Sequence, residues 1–487
     1  MSVGKRAAAG ALWSVASSVG ARIVGLIGTL YMTRLLAPEV VGEVSAAMVL
    51  AQSANWLSNW GFNHYMIVRG PESPSATYHA AMTNWAFAVV GLSIAAASGP
   101  ALAPWFQAPE LPSYLPGLVL AVFIRRFGAV PDKILARELR FRELAIANGA
   151  GELAFTATAL TLAGTTHLGG HAIVVGNIVQ SIITTGLIIR ATGFGWFQRS
   201  RWEWDRFRAI MRFGIPVGVA QVFNFASRYW DNLAFSHFFG TGVTGLYNMA
   251  YNLADIPAVQ VGEQMTGVLL PAMSSLSPEQ RKAAVVRSTG LMALAVFPLA
   301  VGLGAVSDSL IAAILSPEWQ GVAPLLTILS VLSVVRPMAW AVNSYLASYG
   351  RNRTMMILEA AKVVLLFACI FAFAHLGPHW AAGSVGIAFG FQSLLTIGLV
   401  IKLDGIPAGP MLAAFVRPLL ACAAMGGAVL GARVGLTALG LTHPRLLTPI
   451  EIVVGVLAYV PATFVFARPM ALDFVAQLKR ALRRGGS

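Results

Sequence analysis

The sequence is poor in charge and in cysteine. Only 11% of its 487 residues are charged, and it holds two cysteines, Cys369 and Cys422. A soluble protein of this length would need several charged domain surfaces. Two isolated cysteines without suitably spaced partners favour neither a disulfide framework nor a metal site. The sequence also lacks a nucleotide-binding P-loop, which disfavours direct drive by ATP.

Basic residues outnumber acidic ones, and the formal net charge is +14. Such a surplus can indicate nucleic-acid binding, but here the basic residues do not cluster with aromatic residues on one soluble domain. We therefore expect no nucleic-acid partner.

What the sequence does have is long apolar runs. Hydrophobic residues make up 57% of the chain, and runs of about 20 residues are long enough to cross a bilayer as helices. We predict an all-α polytopic membrane protein with about 14 transmembrane helices. The predicted spans are 10–33, 41–62, 79–99, 113–131, 145–163, 169–189, 210–236, 243–271, 284–306, 321–346, 355–375, 382–401, 411–432 and 448–467.

The basic residues alternate between the two sides of these spans. One side takes both termini and the basic loops, which contain Arg69, residues 133–142, residues 190–208, residues 281–287, Arg351, Arg353 and Lys402. The other side is nearly bare, and only Arg34, Arg433 and Arg445 break the pattern there. Because basic loops stay in the cytoplasm, both termini are predicted to be cytoplasmic.

The chain also aligns with itself at an offset of about 203 residues. Residues 35–42 lie over residues 238–245, with Val40 on Val243 and Gly42 on Gly245. This repeat predicts two six-helix lobes, 1–198 and 199–408, followed by two further helices and a basic cytoplasmic tail in 409–487. Parallel repeats of this kind are typical of transporters that bind substrate near mid-membrane between lobes and work by alternating access.

Several motifs resemble those of the Wzx-type polysaccharide exporters, in the colanic-acid and exopolysaccharide branch. They are Leu35-Leu36-Ala37-Pro38-Glu39-Val40-Val41-Gly42, Lys133-Ile134-Leu135-Ala136-Arg137-Glu138-Leu139-Arg140-Phe141, Gly245-Leu246-Tyr247-Asn248-Met249-Ala250-Tyr251-Asn252-Leu253, Val268-Leu269-Leu270-Pro271-Ala272 and Pro317-Glu318-Trp319. The resemblance implies membership of the multidrug/oligosaccharidyl-lipid/polysaccharide (MOP) flippase superfamily.

The resemblance further implies a non-enzymatic flippase of the bacterial inner membrane. Its cargo would be undecaprenyl-diphosphate-linked repeat units for exopolysaccharide or lipopolysaccharide O-antigen, with polymerase and chain-length proteins as possible partners. It implies no cofactor, although a proton or sodium gradient could drive transport. The alternatives are a MATE-like cation-coupled drug antiporter, or a membrane polysaccharide polymerase or glycosyltransferase.

Three arginines inside predicted spans are candidates for binding the diphosphate. An unpaired cation in hydrocarbon is costly, and the planar guanidinium binds phosphate oxygens through paired hydrogen bonds. Arg22 has no acidic residue nearby in sequence, although Asp255 or Glu152 could pair with it across helices. Arg228 and Arg336 are the other two candidates, and we expect a helix kink at Pro337 to free backbone carbonyls beside Arg336.

Four carboxylates inside spans have two possible roles. Asp255, Glu263 and Glu152 could carry a coupling ion, or they could be fixed counter-ions, with Arg22 or Arg228 as the expected partner of Asp255. Asp231 lies one turn from Arg228, and the two could neutralise each other.

The remaining charges in spans lie near their inner ends. Arg125, Arg126, Arg212 and Arg417 could extend to lipid phosphates, or they could form a basic cytoplasmic entry for the diphosphate. Glu359 and Lys362 are three residues apart, which predicts a local ion pair.

Overall fold

The computed structural model describes residues 20, 24–59, 74–138, 140–274 and 276–485, and all regular structure in these ranges is helical. The helices, numbered in chain order, are α1 (24–32), α2 (Pro38–Leu57), α3 (Pro74–Leu102), α4 (Leu111–Arg137), α5 (Phe141–Thr165), α6 (His171–Thr192), α7 (Trp204–Ser274), α8 (Pro278–Ala305), α9 (Ser307–Ile314), α10 (Val322–Leu332), α11 (Arg336–Ser348), α12 (Asn352–Phe373), α13 (Pro378–Asp404), α14 (Ala408–Ala438), α15 (Pro444–Phe466) and α16 (Arg468–Gly485).

Within the described residues, nine helical segments are long and apolar enough to cross a membrane. They are Ser75–Leu102, Leu111–Arg137, His171–Thr192, Pro278–Ala305, Val322–Ser348, Arg353–Leu376, Pro378–Asp404, Ala408–Ala438 and Pro444–Phe466. Helices α2, α5 and α7 cover further predicted spans but do not meet the same criterion. The polytopic all-helical fold is thus confirmed, and the number of about 14 spans stays a prediction.

Helix α7 covers two predicted spans that are joined by a turn rather than by a loop. Its two helical stretches meet at Gly240, where φ is 77°. An L-residue with a Cβ atom is strained in this left-handed region, so glycine permits the turn.

By internal packing the chain divides into two compact units, Met1–Gly245 and Leu246–Ser487, which we call the N-terminal and C-terminal units. The first stretch of α7 belongs to the N-terminal unit, whereas the sequence suggests a lobe boundary near residue 198. Hydrogen bonds to the loop after α3 hold the first stretch of α7 in the N-terminal unit. The Ser236 hydroxyl donates to the Phe106 carbonyl, and Gln107 Nε2 donates to the His237 carbonyl at 2.7 Å. The predicted lobe boundaries stay a prediction.

In the C-terminal unit, helices α14 and α15 are tied to the end of α8 by Arg433. Its guanidinium donates to Glu451 at 2.7 Å, to Asp308 at 2.8 Å and to the Ala305 carbonyl at 2.6 Å. Arg433 was one of the arginines that broke the charge pattern of the loops. Its partners explain it as a packing residue, because a partly buried guanidinium needs acceptors on its neighbours.

The start of α2 and the start of the second stretch of α7 cross with their backbones in contact. A Cβ atom at Gly42 would overlap the carbonyl oxygen of Thr241, and a Cβ atom at Gly245 would overlap that of Pro38. The sequence repeat pairs Gly42 with Gly245 and Pro38 with Thr241, so each contact is the copy of the other. Reciprocal contacts of this kind are typical of surfaces related by a two-fold axis, and they give the weak sequence repeat a structural counterpart.

We predict that Gly42→Ala destabilises the protein by about 1–3 kcal/mol, because the added methyl group must displace the Thr241 backbone. Gly186→Ala is the matched control, since a Cβ atom there meets nothing within 4 Å. Thermal denaturation of the purified protein in detergent compares the two variants. An unchanged midpoint for Gly42→Ala would contradict the crossing.

Candidate functional site

A chain of hydrogen bonds around Gln180 of α6 links three helices of the N-terminal unit. Gln180 Oε1 accepts from Arg125 of α4 at 2.6 Å, and Gln180 Nε2 donates to Glu152 Oε2 of α5 at 2.8 Å. Arg125 Nε also donates to the Ser181 hydroxyl at 2.9 Å. Gln180 therefore connects the cation of α4 to the carboxylate of α5, and the Glu152 charge also acts on Arg125 through space.

The second oxygen of Glu152 faces α1. A Cβ atom at Gly25 would overlap Glu152 Oε1, so the carboxylate lies directly against the α1 backbone. One turn further along α5, Thr156 packs against Gly28 with its methyl group nearest, and its buried hydroxyl, close beside, has no hydrogen-bond partner within the described chain. The contact between α1 and α5 thus depends on glycine and presents polar atoms of α5 to α1.

Arg126, the next residue on α4, contacts other helices than Arg125 does. Its guanidinium donates to the Asn84 side chain of α3 at 2.6 Å, to the Ser58 hydroxyl after α2 at 2.8 Å and to the Asn55 carbonyl. Only 4% of Arg126 is exposed. We expected Arg126 to face lipid phosphates or an entry for cargo, and its burial corrects that expectation. The residue instead holds α2, α3 and α4 together.

In the C-terminal unit, Arg336 begins α11 and binds the second stretch of α7. It forms an ion pair with Asp255 and donates to the Tyr251 hydroxyl at 3.0 Å. Its guanidinium also lies 4.8 Å from the ring centroid of Phe389 on α13, where the ring attracts a cation. The sequence suggested Arg22 or Arg228 as the counter-ion of Asp255, and the structure supplies Arg336 as a partner.

A helix break lies just before Arg336, where Pro337 predicts one. A 3-10 turn at Ser333–Val335 separates α10 from α11. The Val335 carbonyl accepts a hydrogen bond from the Ser393 hydroxyl of α13 at 2.9 Å. The carbonyl that the missing N–H of Pro337 leaves without a helix donor is that of Ser333, four residues earlier, so the freeing of a carbonyl for a polar partner by this kink stays a prediction.

The predicted ion pair between Glu359 and Lys362 of α12 is also confirmed. The ammonium contacts Glu359 Oε1, while Glu359 Oε2 accepts from Gln392 Nε2 of α13 at 2.8 Å. Lys362 Nζ lies 4.4 Å from the centroid of Phe389, the ring that also contacts Arg336. Both cations of this cluster are therefore neutralised by a carboxylate within the unit.

Sequence analysis missed the two glutamines, although a second internal repeat marks them. The segment Gln180-Ser181-Ile182-Ile183-Thr184-Thr185-Gly186-Leu187 aligns with Gln392-Ser393-Leu394-Leu395-Thr396-Ile397-Gly398-Leu399. The offset of this second repeat differs from that of the first by several residues, so an ungapped comparison at about 203 residues does not detect it.

The fourth helices of the two repeats align as well. Arg125 pairs with Arg336 without a gap, and the same register pairs Arg140 with Arg351 and Arg142 with Arg353. The arginine, glutamine and serine of the N-terminal cluster thus have counterparts of the same residue types in the C-terminal unit, whereas Glu152 and Glu359 lie about one helical turn out of this register.

The other candidate residues are only partly described. Arg22 lies outside the described residues, and the side chain of Glu263 is likewise not described. Asp231 is fully buried and accepts from the backbone and side chain of Asn232, and Arg228 lies one turn away on α7. The proposed neutralisation of Arg228 by Asp231 stays a prediction.

Arg212 and Arg417 are exposed on α7 and α14. This placement suits either role expected for them, contact with lipid phosphates or a basic entry. Both roles stay predictions.

The fold and its buried ion pairs define a polytopic helical membrane protein. Its structure is similar to that of the lipid II flippase MurJ in an inward closed conformation, with a TM-score of 0.76 at 14% identity over 94% of this chain and 99% of that chain. An inward-facing MATE multidrug transporter of the MOP superfamily gives a TM-score of 0.61 at 15% identity, over 79% of this chain and 98% of that one.

The sequence itself identifies the family. A family model described as polysaccharide biosynthesis protein matches residues 31–324, and the chain belongs to this family. The lipopolysaccharide biosynthesis protein WzxC of Escherichia coli (strain K12) is 23% identical over 418 residues, which cover 82% of this chain and 81% of that protein. The resemblance to polysaccharide exporters of the MOP superfamily is therefore confirmed.

We predict that Arg126→Ala lowers the free energy of unfolding by about 2–4 kcal/mol, because it leaves the buried acceptors on α2 and α3 without their donor. Arg417→Ala should change it by less than about 0.5 kcal/mol, since its side chain is exposed. Denaturation of both purified variants in detergent measures the difference. Equal effects of the two substitutions would show that Arg126 is not a packing residue.

Proposed function

We propose that the protein is a flippase that moves undecaprenyl-diphosphate-linked oligosaccharide units from the cytoplasmic to the periplasmic leaflet by alternating access. One combined observation carries the proposal: a member of a polysaccharide biosynthesis family has a fold that spans 99% of a lipid II flippase. A transporter fold serves polysaccharide synthesis by carrying a lipid-linked sugar across the membrane. The protein would therefore act without catalysing a chemical step.

The proposed cargo sets what the protein must supply. Its diphosphate needs cations within the helices, its glycan needs a polar environment, and its lipid can remain in the bilayer. We assign the diphosphate contact to Arg22, Arg228 and Arg336. Arg336 is retained on its burial and its place in a predicted span, although its guanidinium already pairs with Asp255 and donates to Tyr251.

The placement of the carboxylates disfavours a drug antiporter. A cationic drug would need carboxylates that no protein cation already occupies. In the described C-terminal unit, the four ion-paired carboxylates whose side chains are at most 20% exposed already have a basic partner. The pairs are Asp255–Arg336, Glu359–Lys362, Asp404–Arg351 and Glu451–Arg433.

The length of the loops disfavours a polymerase or glycosyltransferase. Such an enzyme would carry catalytic groups in an aqueous loop or domain of some size. On the side that is poor in basic residues, the described connections at 33–37, 103–110, 166–170 and 439–443 are short, as plain connections between helices are.

We place the protein in the bacterial inner membrane with both termini in the cytoplasm. The positive-inside pattern of the loops supports this orientation. The polymerase and chain-length proteins of the same polysaccharide pathway would then receive its cargo on the periplasmic side.

Reconstitution tests the proposal. Proteoliposomes containing the full chain should translocate an undecaprenyl-diphosphate-linked oligosaccharide, measured by its accessibility to an external glycosidase. We expect Arg22→Ala to slow translocation by at least about tenfold and Arg22→Lys to restore part of the rate, because a lysine keeps the charge but not the paired hydrogen bonds.

Arg199→Ala is the matched control, since Arg199 is an exposed loop residue assigned only to topology. It should translocate at the wild-type rate. Wild-type vesicles that do not translocate the lipid at all would overturn the proposed function. Full activity of both Arg22 variants at equal protein levels would overturn the assignment of Arg22.

A further inference from the structure

One face of α7 is exposed along the first turns of the helix. The residues of this face are spaced three or four apart, so that they lie on one side of the helix. They are Trp204, Arg208, Arg212, Ile215 and Val219, and all five are exposed. The face begins with an aromatic residue, continues with basic residues and ends with apolar residues inside a predicted span. We call it the α7 face.

The opposite side of the same turns is packed against the N-terminal unit. Ile210 lies on that side and is fully buried among apolar residues of α3 and α4. The start of α7 is also tied to the start of α3. The Glu203 N–H donates to His79 Nε2 at 2.7 Å, and the Ser75 hydroxyl donates to Glu203 Oε1 at 2.9 Å. Because these contacts hold one side of the helix, the α7 face points away from α3 and α4.

The order of side chains along the α7 face follows the order of chemical groups in a phospholipid leaflet. Ile215 and Val219 are exposed apolar residues, as suits contact with acyl chains. Arg212 lies about 4.5 Å nearer the start of the helix along its axis, and Arg208 lies one turn beyond it. At that depth a guanidinium reaches lipid phosphates. Trp204 lies a further turn out, at the interfacial level where tryptophan is enriched.

The charges at the start of α7 leave a surplus of one positive charge. From Glu203 to Arg212 the chain contains three arginines and two acidic residues. Arg206 donates to Glu203 at 3.2 Å, and Arg208 lies 3.9 Å from Asp205 in an exposed pair, which is a weak interaction. Within the described chain, Arg212 forms no ion pair with a carboxylate. The surplus charge therefore lies at Arg212, between the aromatic and the apolar parts of the face.

We propose that the α7 face binds an anionic phospholipid of the surrounding membrane. Arg212 and Arg208 contact its phosphate, and Ile215 and Val219 lie along its acyl chains. A phosphodiester carries one negative charge, which the surplus positive charge of the face balances. A diphosphate carries more than one negative charge, so the occupant is a resident lipid and not the proposed cargo. The inference is therefore independent of the proposed function.

A soluble partner fits the α7 face less well than a lipid does. An acidic protein segment would pair with the arginines, but it would not cover Ile215 and Val219, which lie further along the helix within the predicted span. In a phospholipid the phosphate and the acyl chains belong to one molecule. A single ligand therefore contacts the basic and the apolar parts of the face together.

Native mass spectrometry of the purified full chain tests the lipid site by comparing phosphatidylglycerol with phosphatidylcholine of the same acyl chains. The wild type should retain phosphatidylglycerol in preference. Arg212→Ala should lower this preference by about fivefold, the effect of one basic residue near an anionic lipid surface. Arg212→Lys should keep most of the preference, because a lysine still binds phosphate as a point charge. Both variants should fold, since Arg212 is exposed.

Arg199→Ala is the matched control, because it removes an exposed arginine from the loop that precedes α7. It changes the net charge as Arg212→Ala does and should keep the wild-type preference. Equal losses in the two variants would show that net charge, rather than the α7 face, selects the lipid, and would overturn the proposal. Equal retention of the two lipids by the wild type would overturn it as well.

Two further probes distinguish the possible occupants. Glycerol phosphate has the phosphate without acyl chains, so at matched concentrations it should not displace phosphatidylglycerol. Displacement would indicate a site for a soluble anion and would overturn the proposal. Undecaprenyl diphosphate should be retained equally by the wild type and Arg212→Ala. If Arg212→Ala instead loses undecaprenyl diphosphate and keeps phosphatidylglycerol, Arg212 belongs to an entry for cargo and the lipid site is wrong.

Discussion

The cost of placing charge among apolar helices is the constraint on which this structure depends. Lipid and apolar side chains attract a helix about equally, so apolar surface alone specifies little about which helices pack together. A charged group in the same place must find a partner on another helix. Arg126 joins α2, α3 and α4 in this way, Arg336 joins α11 to α7, and Arg433 joins α14 and α15 to the end of α8. These polar contacts therefore determine which of the packing arrangements allowed by the apolar residues is formed.

The two units contain related polar contacts between neighbouring helices. Both units keep a glutamate bound to a glutamine on the next helix, and in one unit a lysine completes the pair. The cluster with Lys362 is neutralised within its own unit and suits a fixed packing element.

The sequence predicts those features of the fold that depend on neighbouring residues. Hydropathy runs locate the helices, Pro337 predicts the break before α11, and the three-residue spacing of Glu359 and Lys362 predicts their pair. Contacts across helices are different, because no spacing rule encodes them. Asp255 and Arg336 are 81 residues apart in sequence, and neither residue type selects the other among several possible partners.

Arg126 shows the same limit for burial. Its position in the sequence puts it near the inner end of a predicted span, where an arginine can face lipid phosphates. Only the packing of α2 and α3 around it shows that it is buried instead. The proposed function depends on whether the arginines of the predicted spans bind a diphosphate.

Native mass spectrometry of the purified protein tests recognition of the diphosphate most directly. The experiment compares an undecaprenyl-diphosphate-linked disaccharide with the same disaccharide on a neutral undecaprenyl ether. The account predicts that the protein retains the diphosphate-linked lipid at concentrations at which the neutral lipid dissociates. Equal retention of the two lipids would contradict it.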